Sequence, residues 1–231
     1  MKILRLIIRI ILKTIMWFFI LSIGFTVLYR FLPVPITPLM VIRLWEQAFD
    51  KEKEMRLKKD WVSISKISKN VPQAVIAAED QKFMEHNGFD IEAMKKAWEN
   101  NQKGKRVKGG STITQQTAKN VFLSPSRNLI RKGLEAYFTF LMELIWSKER
   151  IMEVYLNVIE MGEGIYGIEA AAQTYFKKPA SKLSRQEAAL IAAVLPNPRR
   201  WSPARPTAYI SGRQAWILRQ MNNLKAVEMG V

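Results

Sequence analysis

The chain of 231 residues carries 36 basic against 20 acidic side chains, a formal charge of +16, and 48% of it is hydrophobic. It has no cysteine and a single histidine, which excludes disulfides, thiol nucleophiles, cysteine-based metal sites and multi-histidine relays. The length suits one domain with an appendage, and the charge calls for an anionic partner: nucleic acid, lipid phosphate or a phosphorylated substrate.

Residues 14–29 contain no charge. With Lys13 and Arg30 snorkelling, and Phe31 and Leu32 prolonging the run, the stretch approaches the roughly 20 residues of a transmembrane helix. Lys2, Arg5, Arg9 and Lys13 precede it, so the positive-inside rule places the N-terminus in the cytoplasm. Pro33, Pro35 and Pro38 follow instead of a small-residue cleavage site, so a retained single-pass anchor in the cytoplasmic (inner) membrane is expected rather than a cleaved signal peptide. Residues 1–42 then form the basic N-terminus, transmembrane helix and proline-rich linker, and residues 43–231 an extracytoplasmic domain. That topology argues against nucleic acid and favours membrane lipid or a lipid pyrophosphate.

Residues 43–69 mix both charges with Trp45, Leu57 and Trp61, which predicts a surface helix followed by a connector. From Val71 the periodicity is helical. An apolar run (Val71, Val75, Ile76, Ala78) delivers the adjacent carboxylates Glu79 and Asp80, with Phe83, His86 and a helix-stopping Gly88 close behind. General acid–base chemistry needs a carboxyl group on a rigid, partly dry element. Taken alone, such a carboxylate pair is more often solvated, and a lone histidine more often a structural hydrogen-bonder.

Residues 102–132 hold eight basic side chains and no acidic one. Within them runs Gly109-Gly110-Ser111-Thr112-Ile113-Thr114-Gln115-Gln116. Paired glycines let backbone N–H groups approach an anion, and the hydroxyls and amides add neutral donors. Lys119, Arg127, Arg131 and Lys132 can supply charge, so the stretch reads as a pyrophosphate cradle. Amphipathic helices are predicted over 129–160. Ser184 and Glu187 form a capping box before Ala188–Leu195, and Pro196-Asn197-Pro198 stops that helix. A last helix is predicted from about Pro206 to Leu224. With no alternating strands of useful length, the exported part reads as mainly α.

Three familiar patterns fail on inspection. Gly104–Ser111 approaches a P-loop spacing, but Gly110 stands where the lysine belongs. Gly162, Gly164 and Gly167 spell G-x-G-x-x-G, yet Glu187 belongs to a capping box instead of a strand end. Ser63-x-x-Lys66 and Ser68-Lys69-Asn70 are nearly contiguous, with no Lys-Thr-Gly to complete a penicillin-binding site.

Four motifs occur in order: Glu79-Asp80-x-x-Phe83-x-x-His86-x-Gly88; Gly109 through Gln116 with Lys119-Asn120; Arg131-Lys132-x-x-Glu135; and Lys148-x-x-Ile151-x-x-x-Tyr155-Leu156-Asn157. Over roughly residues 65–210 the set resembles the peptidoglycan glycosyltransferases, which polymerise lipid II into glycan strands. Since no transpeptidase module is present, the monofunctional, membrane-anchored form is expected. The resemblance implies a lysozyme-like α-helical lobe and a smaller membrane-proximal jaw near residues 85–130. It implies polyprenyl-pyrophosphate-linked glycan as donor and the 4-hydroxyl of lipid II's N-acetylglucosamine as acceptor, joined with inversion. Glu79 would be the general base and Glu153 the second important carboxylate, orienting basic side chains or the donor phosphate.

Lys119, Arg127, Arg131 and Lys132 would stabilise the leaving pyrophosphate, with Ser111, Gln115 and Gln116 as neutral donors and Asn197 as a further substrate contact. Asp80, Phe83, His86, Gly109, Gly110, Thr112, Thr114, Asn120 and Glu135 would support them, Glu135 by holding Arg131. A bound Mg²⁺ or another divalent cation is an open option, with no acidic cluster to identify its ligands. Division or elongation proteins and cross-linking enzymes are the partners that such a role implies, and no stretch identifies them. Two alternatives stand beside this reading. A lytic or hydrolytic glycosidase would use the same glutamate as an acid, and a non-catalytic tethered binder of anionic envelope polymer would leave it idle.

Overall fold

The computed structural model describes residues 2–50, 54–102, 110–126, 128–227 and 229. Gly109, Arg127 and the lysines of 103–108 therefore lie outside the described residues. The chain divides into two units, Met1–Pro33 and Val34–Val231.

The first unit is one helix, α1 (Lys2–Phe31). At 1.5 Å per residue it is about 45 Å long, more than a hydrocarbon core requires. Its basic residues Lys2, Arg5, Arg9 and Lys13 occupy the first half, and the uncharged stretch fills the second. It is long and apolar enough to cross a membrane.

The second unit is mainly helical. Its first helix, α2 (Pro38–Phe49), begins five residues earlier than the surface helix expected from residue 43. Thr37 caps it by accepting from the Met40 amide, and Pro38 at the first position loses no helical hydrogen bond. There follow α3 (Asn70–Glu79), α4 (Ile91–Gln102), α5 (Ile113–Phe122), α6 (Leu129–Ile145) and α7 (Lys148–Val158). The chain closes with α8 (Ile168–Phe176), α9 (Arg185–Val194) and α10 (Ala208–Asn223). The Ser184–Glu187 capping box is present at the start of α9. A small sheet of two- and three-residue strands, β1 (Lys58–Lys59), β2 (Glu160–Gly162) and β3 (Ile165–Tyr166), has the order β1-β3-β2. Its segments are too short to show an alternating pattern in the sequence. The G-x-G-x-x-G run lies here: Gly164 and Gly167 take φ of +66° and +82°, and a Cβ on Gly167 would sit 2.8 Å from the Asn157 carbonyl oxygen.

Two helical groups make the core. In one, α3 packs against α9 and α10; in the other, α5 packs against α6 and α7. Small residues on α9 (Ala188, Ala189, Ala192, Ala193) and on α3 (Ala74, Ala77) are all buried, which lets the two backbones approach closely. In the second group the Phe122 and Phe138 rings stack at 4.3 Å between α5 and α6. Helix α3 is buried from Val71 to Ala77, so its C-terminal residue, Glu79, sits on a rigid support.

Candidate active site

Glu79 stands where the two helical groups meet. Its Oε2 accepts a hydrogen bond from Gln116 Nε2 of α5 at 3.1 Å. Gln116 Oε1 accepts from the hydroxyl of the buried Tyr155 of α7 at 3.4 Å, which orients the amide with its NH₂ toward the carboxylate. The other oxygen, Glu79 Oε1, is buried and receives no hydrogen bond. Arg213 Nη2 of α10 lies 3.6 Å from it, an ion-pair distance too long for a good hydrogen bond. Burial drives the Glu79 pKa above the usual carboxylate value, and the neighbouring Asp80 adds to the rise. Gln116, Arg213 and Lys119 pull the other way and only partly offset it.

Asp80 faces elsewhere. Its carboxylate accepts from the Ile113 amide at 3.0 Å, at the N-terminus of α5, where negative charge is favoured. His86 Nε2 lies 3.0 Å from both Asp80 oxygens. His86 Nδ1 accepts from the Gly88 amide at 3.1 Å, which leaves Nε2 to carry the proton and donate it to Asp80. Thr112 and Gln115 form a capping box on α5, and the Thr112 hydroxyl donates to the Gly88 carbonyl at 2.6 Å. Thr114 donates to Glu143, which also pairs with Lys148 at 2.7 Å; the Lys148 ammonium lies 4.7 Å from the centroid of the buried Phe83 ring. Gly88 has φ of +85°, and a Cβ there would meet Thr139 Cγ2 at 2.7 Å. These bonds join the first two motifs into one scaffold behind Glu79.

Two hollows flank this point, and Ser111 lines both. One, of about 460 Å³, is walled by Lys119 and Asn120 of α5, Arg131 and Lys132 of α6, and Arg43 of α2. Gln115 and Gln116 reach its floor. The buried Glu135 pairs with both Arg131 (2.5 Å) and Lys132. Lys119 has no carboxylate within ion-pair distance among the described residues. Burial lowers its pKa, and repulsion from Arg131 and Lys132 adds to the effect. The second hollow, of about 580 Å³, contains Glu79 itself, with Asp80, Lys82, Asp90, Lys96 and Trp216 among its lining. Gly110 also lines it, and a Cβ there would crowd Ala97 of α4 at 3.1 Å.

Some expected residues lie apart. Glu153 lines neither hollow: its Oε2 accepts from the Ile64 amide at 2.8 Å, and its Oε1 pairs with Arg150. It therefore orients a basic side chain, but one stacked 5.3 Å from the Trp61 ring centroid instead of in the cradle. Glu149 is exposed. Gln115 spends its carbonyl oxygen on the Thr112 amide. Asn197 lines a neighbouring hollow with Trp201 and Tyr209, touching the cationic one only through Pro196. Among the described residues no group of three His, Asp or Glu side chains is placed to hold a metal, so the donor set does not fit a protein-held Mg²⁺.

Sequence reasoning missed Arg213 and Trp216. The signal for Arg213 was a charge on the inward row of α10, beside Ile210, Ile217 and Met221, which are all buried.

The site is thus a helical scaffold that holds one dry carboxylate near a hollow lined by cations. Residues 46–222 match the Transglycosylase family, and the chain belongs to it. It is 57% identical over 215 residues to the biosynthetic peptidoglycan transglycosylase of Bdellovibrio bacteriovorus, covering 91% of this chain and 84% of that one. The protein of the same description from Bacteroides thetaiotaomicron is 56% identical, over 90% of this chain and 84% of its own. That from Pseudomonas syringae pv. syringae is 50% identical, over 94% and 92%. The chain is thus a glycosyltransferase of peptidoglycan synthesis.

Proposed function

We propose that the chain polymerises lipid II on the outer face of the cytoplasmic membrane, with Glu79 as general base. One observation carries this: a carboxylate in one hollow, with Oε1 buried and awaiting a donor, whose Oε2 is bonded to Gln116 of the adjoining cationic hollow. The growing glycan lies with its polyprenyl pyrophosphate between Lys119, Arg131 and Lys132. The acceptor's 4-hydroxyl enters from the second hollow and donates to Glu79 Oε1. As that proton moves to Glu79, the acceptor oxygen attacks the donor's anomeric carbon from the face opposite the phosphate. The carbon–oxygen bond to the diphosphate breaks, an α-linkage becomes β-1,4, and the cations take up the departing charge.

Helix α1 is the anchor, with its basic half in the cytoplasm. Exposed Ile91, Met94 and Trp98 on α4, and Leu129, Ile130 and Phe140 on α6, support a jaw that rests on the lipid surface. The opposite use of Glu79, as the acid of a lytic enzyme, fits less well. A lytic enzyme acts on a neutral glycan, which has no need of the cationic wall that Lys119, Arg131 and Lys132 form.

The test is purified chain with labelled lipid II, followed by sizing of the products. Wild type is expected to build lipid-linked glycan. Glu79→Gln should lose at least about a thousandfold in rate, within the range of general-base removal, while still binding lipid II. Undiminished turnover in that variant refutes the base assignment. Shortening of preformed glycan supports the lytic reading, and binding without turnover the non-catalytic one.

A further inference from the structure

Helix α2 puts one side chain into the cationic hollow from outside the residues that match the family. Arg43 lies on the same wall as Leu39, four residues and about one helical turn away, and both line the cavity that holds Lys119, Arg131 and Lys132. Its guanidinium has five N–H donors. Nη1 bonds Glu46 at 2.5 Å. Nε is buried without a hydrogen-bond partner, since Glu160 Oε2 stands 3.7 Å away, close enough for charge attraction and too far to accept the proton. Glu160 Oε1 is likewise unmet. A purely structural brace would close these bonds, because each unmade one costs the desolvation of its atom. Arg43 instead lines the cavity with no hydrogen bond from Nη2 among the described residues, and a guanidinium fork suits phosphate oxygens better than an ammonium does.

We propose that Arg43 is a further donor-binding residue, and that α2 reads the junction between a pyrophosphate and its polyprenyl chain. Arg43 takes phosphate oxygens and Leu39 the first apolar carbons. The inference rests on the donor assignment made above for the cationic hollow. It makes the segment that follows the anchor part of the substrate site, selecting lipid-linked diphosphates over soluble ones.

The experiment uses the full chain in detergent, polymerising lipid II against two competitors, inorganic pyrophosphate and farnesyl pyrophosphate. Arg43→Gln should weaken inhibition by both about tenfold, the scale of one charged hydrogen bond. Leu39→Ala should weaken farnesyl pyrophosphate and leave inorganic pyrophosphate unchanged. Glu160→Gln, which removes the nearby carboxylate and keeps the arginine, should change neither constant. If Arg43→Gln lowers thermal stability or kcat with both inhibition constants intact, Arg43 is only a brace and the proposal falls. It also falls if Glu160→Gln reproduces the Arg43→Gln loss. Should Arg43→Gln not fold, Arg43→Lys keeps the charge without the fork; wild-type inhibition in that variant overturns the proposal, and a partial loss supports it. A wild-type enzyme that neither competitor inhibits would instead overturn the donor assignment itself.

Discussion

The two hollows that share Ser111 differ in what their walls cost the empty protein. The smaller sets Arg43, Lys119, Arg131 and Lys132 against the single carboxylate Glu135. The larger balances Lys82 and Lys96 against Glu79, Asp80 and Asp90, and its lysine Lys82 is already paired with Glu92 at 2.7 Å. In the first, burial lowers the Lys119 pKa and the like charges of Arg131 and Lys132 add to the effect, a strain that the proposed diphosphate would relieve. In the second, the strained group is Glu79, held dry with one oxygen unmet. In the proposed reaction one side receives negative charge and the other takes a proton, and each stores its cost on the residue assigned to the chemistry.

The contrast is broken most severely by removing the unpaired cation. Lys119→Ala should lower kcat/KM for lipid II about a hundredfold, the scale of one donor aimed at developing charge. Lys82→Ala, on the other wall and half-exposed, should stay within about twofold. Steady-state polymerisation measured for both variants decides it. Equal losses would mean that the two walls share the diphosphate.

How much of this was legible in the sequence follows from how local each feature is. The α5 cap rests on Thr112 and Gln115, three residues apart, and the carboxylate at the end of α3 on an apolar run just before it; both could be read directly. The identity of Gln115 was readable too, but not that its carbonyl oxygen is spent on the Thr112 amide. The surroundings of Glu153 were hidden for a related reason: its oxygen meets the amide of Ile64, 89 residues earlier, a contact that helical spacing cannot announce. Arg213 reaches Glu79 only because α10 lies against α3, and Arg43 reaches the cradle only because α2 lies against α5. Tertiary packing placed both. The small sheet went unseen because β1 and β3 pair over just two residues, Lys58 with Ile165 and Lys59 with Tyr166.

Arg213 tests the second wall. Its positive charge is one of the influences that hold the Glu79 pKa down against burial. Since the base must be ionised, activity should rise with pH through the raised Glu79 pKa and level off above it. Arg213→Gln should move that acid limb to higher pH. The loss should be roughly tenfold at neutral pH, where charge beside the base matters most, and should shrink in alkaline buffer. A loss independent of pH would make Arg213 a packing residue. The pH–rate profile of kcat/KM is the readout that separates the two.

The smallest effect runs in the opposite direction and concerns stability. Glu79 has a folded pKa above its unfolded one, so between those values the folded state binds the extra proton and stability falls as pH rises. Below the ordinary carboxylate range both states are protonated, and burial of Glu79 carries no charge penalty. Above the raised pKa the protein keeps an ionised, half-satisfied carboxylate in a dry site, and the penalty is complete. Glu79→Gln removes that charge with little change of shape. It should therefore raise Tm by a few degrees at neutral or higher pH and lose the advantage as pH drops below the usual carboxylate range. The same substitution that silences polymerisation would then make the protein more stable, which is expected of a residue placed for chemistry at the expense of the fold. A structural carboxylate behaves the other way: Asp80, bonded to the Ile113 amide and to His86, should cost stability when changed to Asn. Thermal unfolding of the two variants across pH compares them directly, and a Glu79→Gln protein that melts earlier at neutral pH would place Glu79 with Asp80 among the supports.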